Sequence, residues 1–372
     1  MILSKLSLVN FKNYEQLAIE FSDRINCFVG NNGVGKTNLL DAIYYLSMCR
    51  SYFSNIDQYN IRHNEELFVV QGEYITQTGY TEEILCSYKK NGRKIVKRNK
   101  KEYDRLSEHI GLIPVVMITP NDSTLITEGS EERRRLIDTI ISQYNKNYLE
   151  QLILYNRTLQ QRNRLLKDIA GQSSSPLLEM FDIYDEQLVN AGKIIYTERK
   201  TFIDEFRPIF LEMYQQIAGK AEAVDLSYQS QLHEEDLLQL LRKNFSKDRQ
   251  LEHTSVGIHK DDLLLLIDGI PAKRIASQGQ QKTFLVALKL AEYSLIYKHS
   301  QKKPLLLLDD LFDKFDHQRV ERLIDLTQNS LSGQIFITDT DINHLMPILK
   351  RVSNGHHVFH VENNHAVKME KF

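Results

Sequence analysis

An α/β fold assembled from both ends of the chain, with a helical segment inserted between them, follows from three patterns in the 372 residues. The first is an apolar run, Ile25 to Val29, that enters a glycine-rich turn and then residues at helical spacing, Leu39, Leu40, Ile43 and Leu46. The second is a late return of buried-strand composition, Leu263-Leu-Leu-Leu-Ile267 and Leu305-Leu-Leu-Leu308, with a further strand at Gln334-Ile-Phe-Ile-Thr338. Between them lies the third, a long stretch with apolar residues three or four apart. The α/β head is placed in residues 1–125 and 250–372, and the helical insertion in residues 126–249.

Taken in order, the chain opens with Met1-Ile-Leu-Ser-Lys-Leu-Ser-Leu-Val-Asn10, which alternates like a half-buried strand, and a second strand is expected at Leu17 to Phe21. This start lacks the apolar stretch of a secretory leader, and no window approaches the ~18 apolar residues of a membrane span. From Glu131 the residues Leu136, Ile137, Ile140, Ile141, Tyr144, Tyr148, Leu152 and Leu159 predict one helix, ending near Gly171-Gln-Ser-Ser-Ser-Pro176. A second run, Phe181, Tyr184, Leu188, Ile195, Phe202 and Phe206, predicts another, so two antiparallel helical arms of about 50 Å joined by that turn are expected.

Apolar residues at 42% and charged residues at 26% are ordinary globular usage and set aside disordered or collagen-like chains. With 47 Lys and Arg against 49 Asp and Glu, affinity for a polyanion must come from a local patch rather than from the overall field. Cys27, Cys49 and Cys86 are far apart and odd in number, which disfavours a disulfide framework and a structural zinc site and fits a reducing cytoplasm. None of the 12 histidines shows metal-ligand spacing, and no Ser/His/Asp arrangement is supported.

Gly30-Asn-Asn-Gly-Val-Gly-Lys-Thr37 matches the G-x-x-x-x-G-K-[ST] phosphate loop and sits at the strand-to-helix junction that its mechanism requires. Glycines let successive N–H groups turn inward on phosphates, so Gly30, Asn31, Asn32, Gly33, Val34 and Gly35 are expected to bind nucleotide. Lys36 can reach the β and γ oxygens as a catalytic cation, and the Thr37 hydroxyl can ligate Mg²⁺. Leu305 to Leu308 then ends in two acids: Asp309 is expected to hold the Mg²⁺ shell and Asp310 to act as general base on the attacking water. Farther back, Ser277-Gln-Gly-Gln280 opens a helix, bringing a serine hydroxyl, a glycine N–H and a helix amino terminus to one point suited to an anion. Ser277, Gly279 and Gln280 therefore join the candidate nucleotide contacts.

The order of these elements resembles that of ABC-type ATPases, in which the signature of one subunit closes over the γ-phosphate held by the other. Over nearly its whole length the sequence is similar to the RecF family of bacterial recombination-mediator ATPases. The resemblance rests on Asn10-Phe-Lys-Asn-Tyr14, the phosphate loop through Ile43, Glu132-Arg-Arg-Arg135 with Asp138, and Tyr155-Asn-Arg-Thr-Leu-Gln-Gln-Arg-Asn-Arg-Leu-Leu-Lys167. It continues in Gly257-Ile-His-Lys-Asp-Asp262, Ser277-Gln-Gly-Gln-Gln-Lys-Thr283 and Leu308-Asp-Asp310 through Asp316. The resemblance implies an ABC-type head with an inserted helical arm and an ATP-dependent homodimer that binds gapped duplexes or single-strand/double-strand DNA junctions. It also implies slow, DNA-dependent ATP hydrolysis and mediator partners of the RecR and RecO type in loading a recombinase during fork repair, with Ser277 and Gly279 acting in trans and Asp316 at the dimer interface. Ile258, Lys260 and Lys282 depart from the family's usual Pro, Arg and Arg; lysine keeps the charge but loses the planar fork. No histidine stands just after the late strand, where many ABC ATPases carry a switch residue.

The densest basic stretch runs from Lys89 to Arg105, with nine cations against Glu102 and Asp104. Asn91-Gly92 reads as a type I′ hairpin turn that would set two basic strands side by side. Lys89, Lys90, Arg93, Lys94, Lys97, Arg98, Lys100 and Lys101 are candidate DNA-phosphate contacts, the alternative being a solvated edge whose lysines deter aggregation. Arg133, Arg134, Arg135, Arg157, Arg162 and Arg164 form a second basic set, open to DNA contact or to internal ion pairs, and His259 is open to a structural or a nucleotide-sensing role. Against the ATP-gated clamp stand a coiled-coil chromosome ATPase head, a transporter subunit, a metabolic phosphotransferase and a related phage-defence ATPase. The first two conflict with the spacing of about 240 residues between Lys36 and Ser277.

Overall fold

In the computed structural model, which describes residues 1–169, 175–218, 222–311, 333–351, 355–362 and 364–369, the chain opens as a hairpin. β1 (Ile2–Phe11) pairs antiparallel with β2 (Tyr14–Glu20), and an irregularity between Leu3 and Lys5 shifts the phase so that Leu3 and Leu6 both face inward. β3 (Ile25–Val29) is buried at every position and feeds α1 (Lys36–Met48), where Leu39, Leu40, Ala42, Ile43 and Leu46 are buried. β4 (Leu67–Ile75), β5 (Thr81–Lys89), β6 (Lys94–Arg98) and β7 (Lys101–Glu102) complete a six-stranded antiparallel sheet in the order β2-β1-β4-β5-β6-β7, and β8 (Val115–Ile118) follows.

Lys89 to Gly92 does turn the chain, the Gly92 N–H donating to the Lys89 carbonyl at 2.8 Å, and sets β5 and β6 side by side, but Asn91-Gly92 is not the type I′ turn expected. There β5 and β6 pair only as far as Tyr88 and Lys94, and of the two residues only Asn91 has positive φ, at 58°. The two-residue turn with positive φ at both positions is Asn99-Lys100, at 49° and 69°, between β6 and β7. Asn99 Oδ1 accepts the Glu83 N–H at 2.9 Å, a local bond that supports its left-handed backbone.

Contacts divide the chain into two units, Met1–Asp122 with Lys282–Phe372, and Ser123–Gln281. The second unit begins with α2 (Thr124–Thr127), α3 (Ser130–Ser142), α4 (Lys146–Asp168) and α5 (Ser175–Ala218). The single helix expected from Glu131 is broken: Asn145 is extended, and its side chain accepts the Tyr148 N–H at 3.0 Å, capping α4. α4 and α5 run antiparallel, since Asn145 bonds Glu198, Thr158 bonds Gln187 and Arg162 bonds Asp185. Their 23 and 44 residues give about 35 and 65 Å rather than two equal arms, and the turn expected at Gly171 lies outside the described residues.

β9 (Val224–Gln229), α6 (Leu237–Leu251), β10 (Asp262–Ile267), β11 (Ile270–Pro271) and α7 (Ala272–Ile275) complete the second unit. The leucine run 263–267 was expected in the head. It forms β10 instead, central in a three-stranded antiparallel sheet, β11-β10-β9, with Leu263, Leu265 and Ile267 facing inward and Leu264 and Leu266 half-buried. The insertion thus retains residues 250–281.

α8 (Gln278–Ser300) is buried on all sides from Thr283 to Tyr293. β12 (Leu305–Leu308), β13 (Ile335–Asp339), the helix Ile342–Arg351, β14 (His356–Glu362) and β15 (His365–Lys368) follow. The second six-stranded sheet has the order β15-β14-β3-β13-β12-β8, parallel except for β15. One core joins the two large sheets through α1: Leu39, Ile43 and Leu46 share it with Leu3, Phe68 and Val70 of the first and Leu305, Leu307 and Phe336 of the second. Among the described residues no helix is long and apolar enough to cross a membrane.

Candidate active site

The loop between β3 and α1 takes its shape from its glycines and its neighbours. Gly33 and Gly35 have φ of 82° and 108°, where a side chain would be strained. A Cβ on Gly35 would also stand 2.3 Å from Asn13 Nδ2, and one on Gly30 would stand 2.3 Å from the Val361 carbonyl oxygen. Lys36 is buried and donates to the Gly30 and Asn31 carbonyls at 2.6 and 2.9 Å. Asn13 Nδ2 donates to the Val34 carbonyl at 3.3 Å, Asn13 Oδ1 accepts from Asn38 Nδ2 at 2.7 Å, and the Tyr14 hydroxyl donates to the Gly35 carbonyl at 3.1 Å. Neither Asn13 nor Tyr14 has an expected role from the sequence, although both belong to the motif Asn10-Phe-Lys-Asn-Tyr14.

Parallel pairing sets β13 between β3 and β12, so the ends of all three strands face the same loop. Thr37 Oγ1 lies 2.9 and 3.0 Å from the two carboxyl oxygens of Asp309. Burial pushes the Asp309 carboxyl above its usual range; hydrogen bonds from Thr338 and Thr37 oppose this, and the neighbouring Asp310 charge reinforces it. Asp310 has φ of 48°, and its Oδ1 is buried with no hydrogen bond among the described residues. Thr338, at the end of β13, bonds both acids. These groups, with Gly33, Gly35 and Lys36, line a cavity of about 190 Å³.

In the second unit Ser277 caps α8. Its backbone N–H donates to Gln280 Oε1 at 2.7 Å while its hydroxyl oxygen accepts the Gln280 N–H at 3.2 Å, a reciprocal capping box. Ser277 is exposed, and Gln280 Nε2 donates to Glu222 at 3.1 Å. Gly279 occupies the first turn of the helix. Asp316 lies outside the described residues.

The family model described as the RecF/RecN/SMC N-terminal domain matches residues 2–366. The DNA replication and repair protein RecF of Bacteroides thetaiotaomicron is 49% identical over 362 residues, 97% of this chain and 97% of that protein. The chain belongs to the RecF family. A solved structure of the recombination mediator protein RecF with ATP, from the RecFOR pathway, matches with a TM-score of 0.88 at 30% identity, over 99% of this chain and 97% of that one. An SMC head bound to the C-terminal winged-helix domain of ScpA matches with a TM-score of 0.57 at 16% identity, over 99% and 97% of the two chains, and shares the fold. The ABC/SMC-type head with its helical insertion is therefore the architecture of this RecF-family chain.

The RecF-like motif Gln160-Gln-Arg-Asn163 has a structural task here. Arg162 is fully buried, donating to Asp185 at 2.7 Å and to Asp248 at 2.8 Å, while Asn163 Oδ1 accepts the Thr254 N–H at 2.8 Å. Arg133 is likewise bound to both oxygens of Asp262, at 2.8 and 3.1 Å, and Arg134 to the Asp261 carbonyl. Arg157 and Arg164 are exposed. His259 Nε2–H donates to the Thr254 carbonyl at 3.0 Å and Nδ1 accepts from the Tyr155 hydroxyl at 3.0 Å; burial lowers its pKa to about 4, which favours the neutral ring that these two bonds require.

The candidate DNA surface is divided. Lys94 is held by the Cys49 carbonyl at 2.6 Å and Asp57 at 2.8 Å, and Arg98 binds Glu82 through two bonds of 2.7 Å, so these two cations are spent inside the molecule. Lys90 and Arg93 make exposed pairs with Glu66 and Glu102. Lys89, Lys97, Lys100 and Lys101 form no ion pair among the described residues, and all but the half-buried Lys97 are exposed.

Proposed function

We propose that this RecF-family chain binds and slowly hydrolyses ATP in the phosphate-loop cavity, using nucleotide state to close two copies of itself on gapped duplexes or single-strand/double-strand junctions in DNA. The observation that carries this reading is the meeting of Thr37 Oγ1 with both Asp309 oxygens, in one cavity with Asp310, whose Oδ1 has no hydrogen bond among the described residues. Gly30 through Thr37 would hold the phosphates, and Thr37 and Asp309 are the oxygen donors that suit Mg²⁺. The ion would neutralise charge on the β- and γ-phosphates. Asp310 Oδ1, a buried acceptor with no donor among the described residues, would take the proton of the water that attacks the γ-phosphorus.

Ser277 supports closure by a second copy. Its oxygen already accepts from Gln280, which leaves its proton to donate to a γ-phosphate oxygen of the partner's site. Lys89, Lys97, Lys100 and Lys101 supply sequence-independent phosphate contacts. The relative solved with ATP is described as a mediator in the RecFOR pathway, and by that relationship this chain would work in the cytoplasm, on the nucleoid when bound to DNA, with partners of the RecO and RecR type to assist recombinase loading.

The test is solution mass with a gapped duplex under ATP, ADP and no nucleotide at fixed salt. A DNA-bound dimer found only with ATP supports the reading, and an ATP-independent monomer that ignores DNA refutes it. In the same assay Lys36→Met should abolish nucleotide binding, Asp310→Asn should accumulate ATP-bound dimers, and Ser277→Arg should bind ATP without dimerising.

A further inference from the structure

The carboxyl-terminal hairpin meets the phosphate loop directly at Gly30 and, through Asn13, at Val34. β14 lies beside β3 in parallel register, His360 opposite Val29, which brings the Val361 carbonyl against Gly30 so closely that no Cβ fits there. Asn364, just before β15, accepts a hydrogen bond from Asn13 Nδ2 through its side-chain oxygen. Asn13 also bonds the Val34 carbonyl and the Asn38 side chain, so its carboxamide spends both N–H groups and its oxygen. The orientation is unique: flipped, the amide would set its oxygen against the Val34 carbonyl and its NH₂ against the NH₂ of Asn38. Asn364 has φ of 63°, a left-handed conformation that asparagine tolerates better than most residues.

Neither Asn13 nor Asn364 lines the cavity. We propose that Asn364, acting through Asn13, is a positioning residue that makes the carboxyl-terminal hairpin part of the nucleotide site, and this rests on the ATP reading above. A phosphate loop gathers N–H dipoles that repel one another until an anion arrives. A loop already held in shape spends less of its binding free energy on ordering. The Asn38-Asn13-Asn364 chain holds it from outside, tying the Val34 carbonyl and the first turn of α1 to a segment more than 300 residues away.

The experiment titrates a fluorescent N-methylanthraniloyl ATP into the full chain as wild type, Asn364→Gly, Asn13→Ala and the double variant, with thermal unfolding of each in the absence of nucleotide. Glycine keeps the left-handed backbone and removes the carboxamide that carries the acceptor. Asn364→Gly should bind about fivefold more weakly, the value of one hydrogen bond, at an unchanged unfolding midpoint. The double variant should bind no more weakly than Asn13→Ala. Wild-type affinity in Asn364→Gly, a fall in its midpoint that tracks the lost affinity, or losses that multiply in the double variant would each overturn the proposal. A wild-type chain that takes up no ATP overturns instead the reading on which it rests.

Discussion

The Thr338 hydroxyl donates to Asp309 Oδ1 at 2.7 Å and accepts the backbone N–H of Asp310 at 2.9 Å, so one buried side chain on β13 orients both acids that follow β12. A hydroxyl has a single proton, and with its oxygen taken by Asp310 that proton is committed to Asp309. Valine matches the shape of threonine but does neither task. Thr338→Val should lower ATP turnover about 10- to 100-fold with nucleotide affinity within twofold, and Thr338→Ser should restore it. Phosphate release measured beside a nucleotide titration checks this, and an equal loss in both would place Thr338 in binding instead.

Arg162 is the ionic centre of the helical unit, with Asp185, Asp248 and Thr254 around its guanidinium and the Phe181 ring 5.5 Å away. Removing the cation leaves two buried carboxylates unpaired, and burial already raises the pKa of Asp185. Arg162→Met should cost about 3–5 kcal/mol in urea unfolding. A cost below about 1 kcal/mol would mean that these carboxylates reach water.

His259 makes stability depend on pH. Its folded value of about 4 lies below the ordinary 6.5 chiefly through burial, with Lys260 and Arg134 adding to the effect and the Thr254 carbonyl and Asp248 opposing it. The unfolded chain therefore takes up the proton first. Its contribution to stability is complete above about pH 6.5 and is lost as pH falls towards 4, on the order of 3 kcal/mol in all. His259→Gln keeps an N–H donor without titrating, and its unfolding free energy should vary less over that window than that of the wild type. Parallel profiles for the two would refute the assignment.

Charge reversal at Lys89, Lys97, Lys100 and Lys101 should weaken binding of every DNA sequence alike and flatten the dependence of log affinity on log salt, by about one unit of slope for each phosphate that a lysine no longer neutralises. Lys94→Gln and Arg98→Gln should act mainly on folding, because both side chains are tied to acids of their own sheet and loop. An unchanged salt slope in the lysine variant would reduce the β5–β7 ribbon to a solvated edge.

The elements that depart from sequence expectation share a cause. Asn145 interrupts a helical pattern that Tyr144 and Tyr148 continue on either side; its cap is written in the residue type, but periodicity outweighs it. Asn91-Gly92 has the better type I′ dipeptide, yet the two-residue turn with positive φ at both positions falls at Asn99-Lys100, where β7 pairs back on β6, while a turn of another type joins β5 to β6. Leu263 to Ile267 reads as a doubly buried strand, and only its pairing with β9 and β11 shows one face to be half-covered. Thr338 and Asn13 belong to recognisable segments yet announce no role, because neither residue type signals chemistry until its partner is known.

Sequence by itself determined the parts whose chemistry is local. Glycines, a lysine and a threonine within eight residues specify a loop that turns N–H groups inward, and an apolar run ending in Asp309 and Asp310 delivers two acids to a strand end. Tertiary structure decided that these parts meet. Thr37 and Asp309 are 272 residues apart and touch because β13 lies between β3 and β12, while Asn13 and Asn364 close the loop from positions 351 apart. Backbone conformation responds to neighbours along the chain, whereas strand order and register are settled by how one shared core of α1 and two sheets packs, a collective outcome that no short window contains.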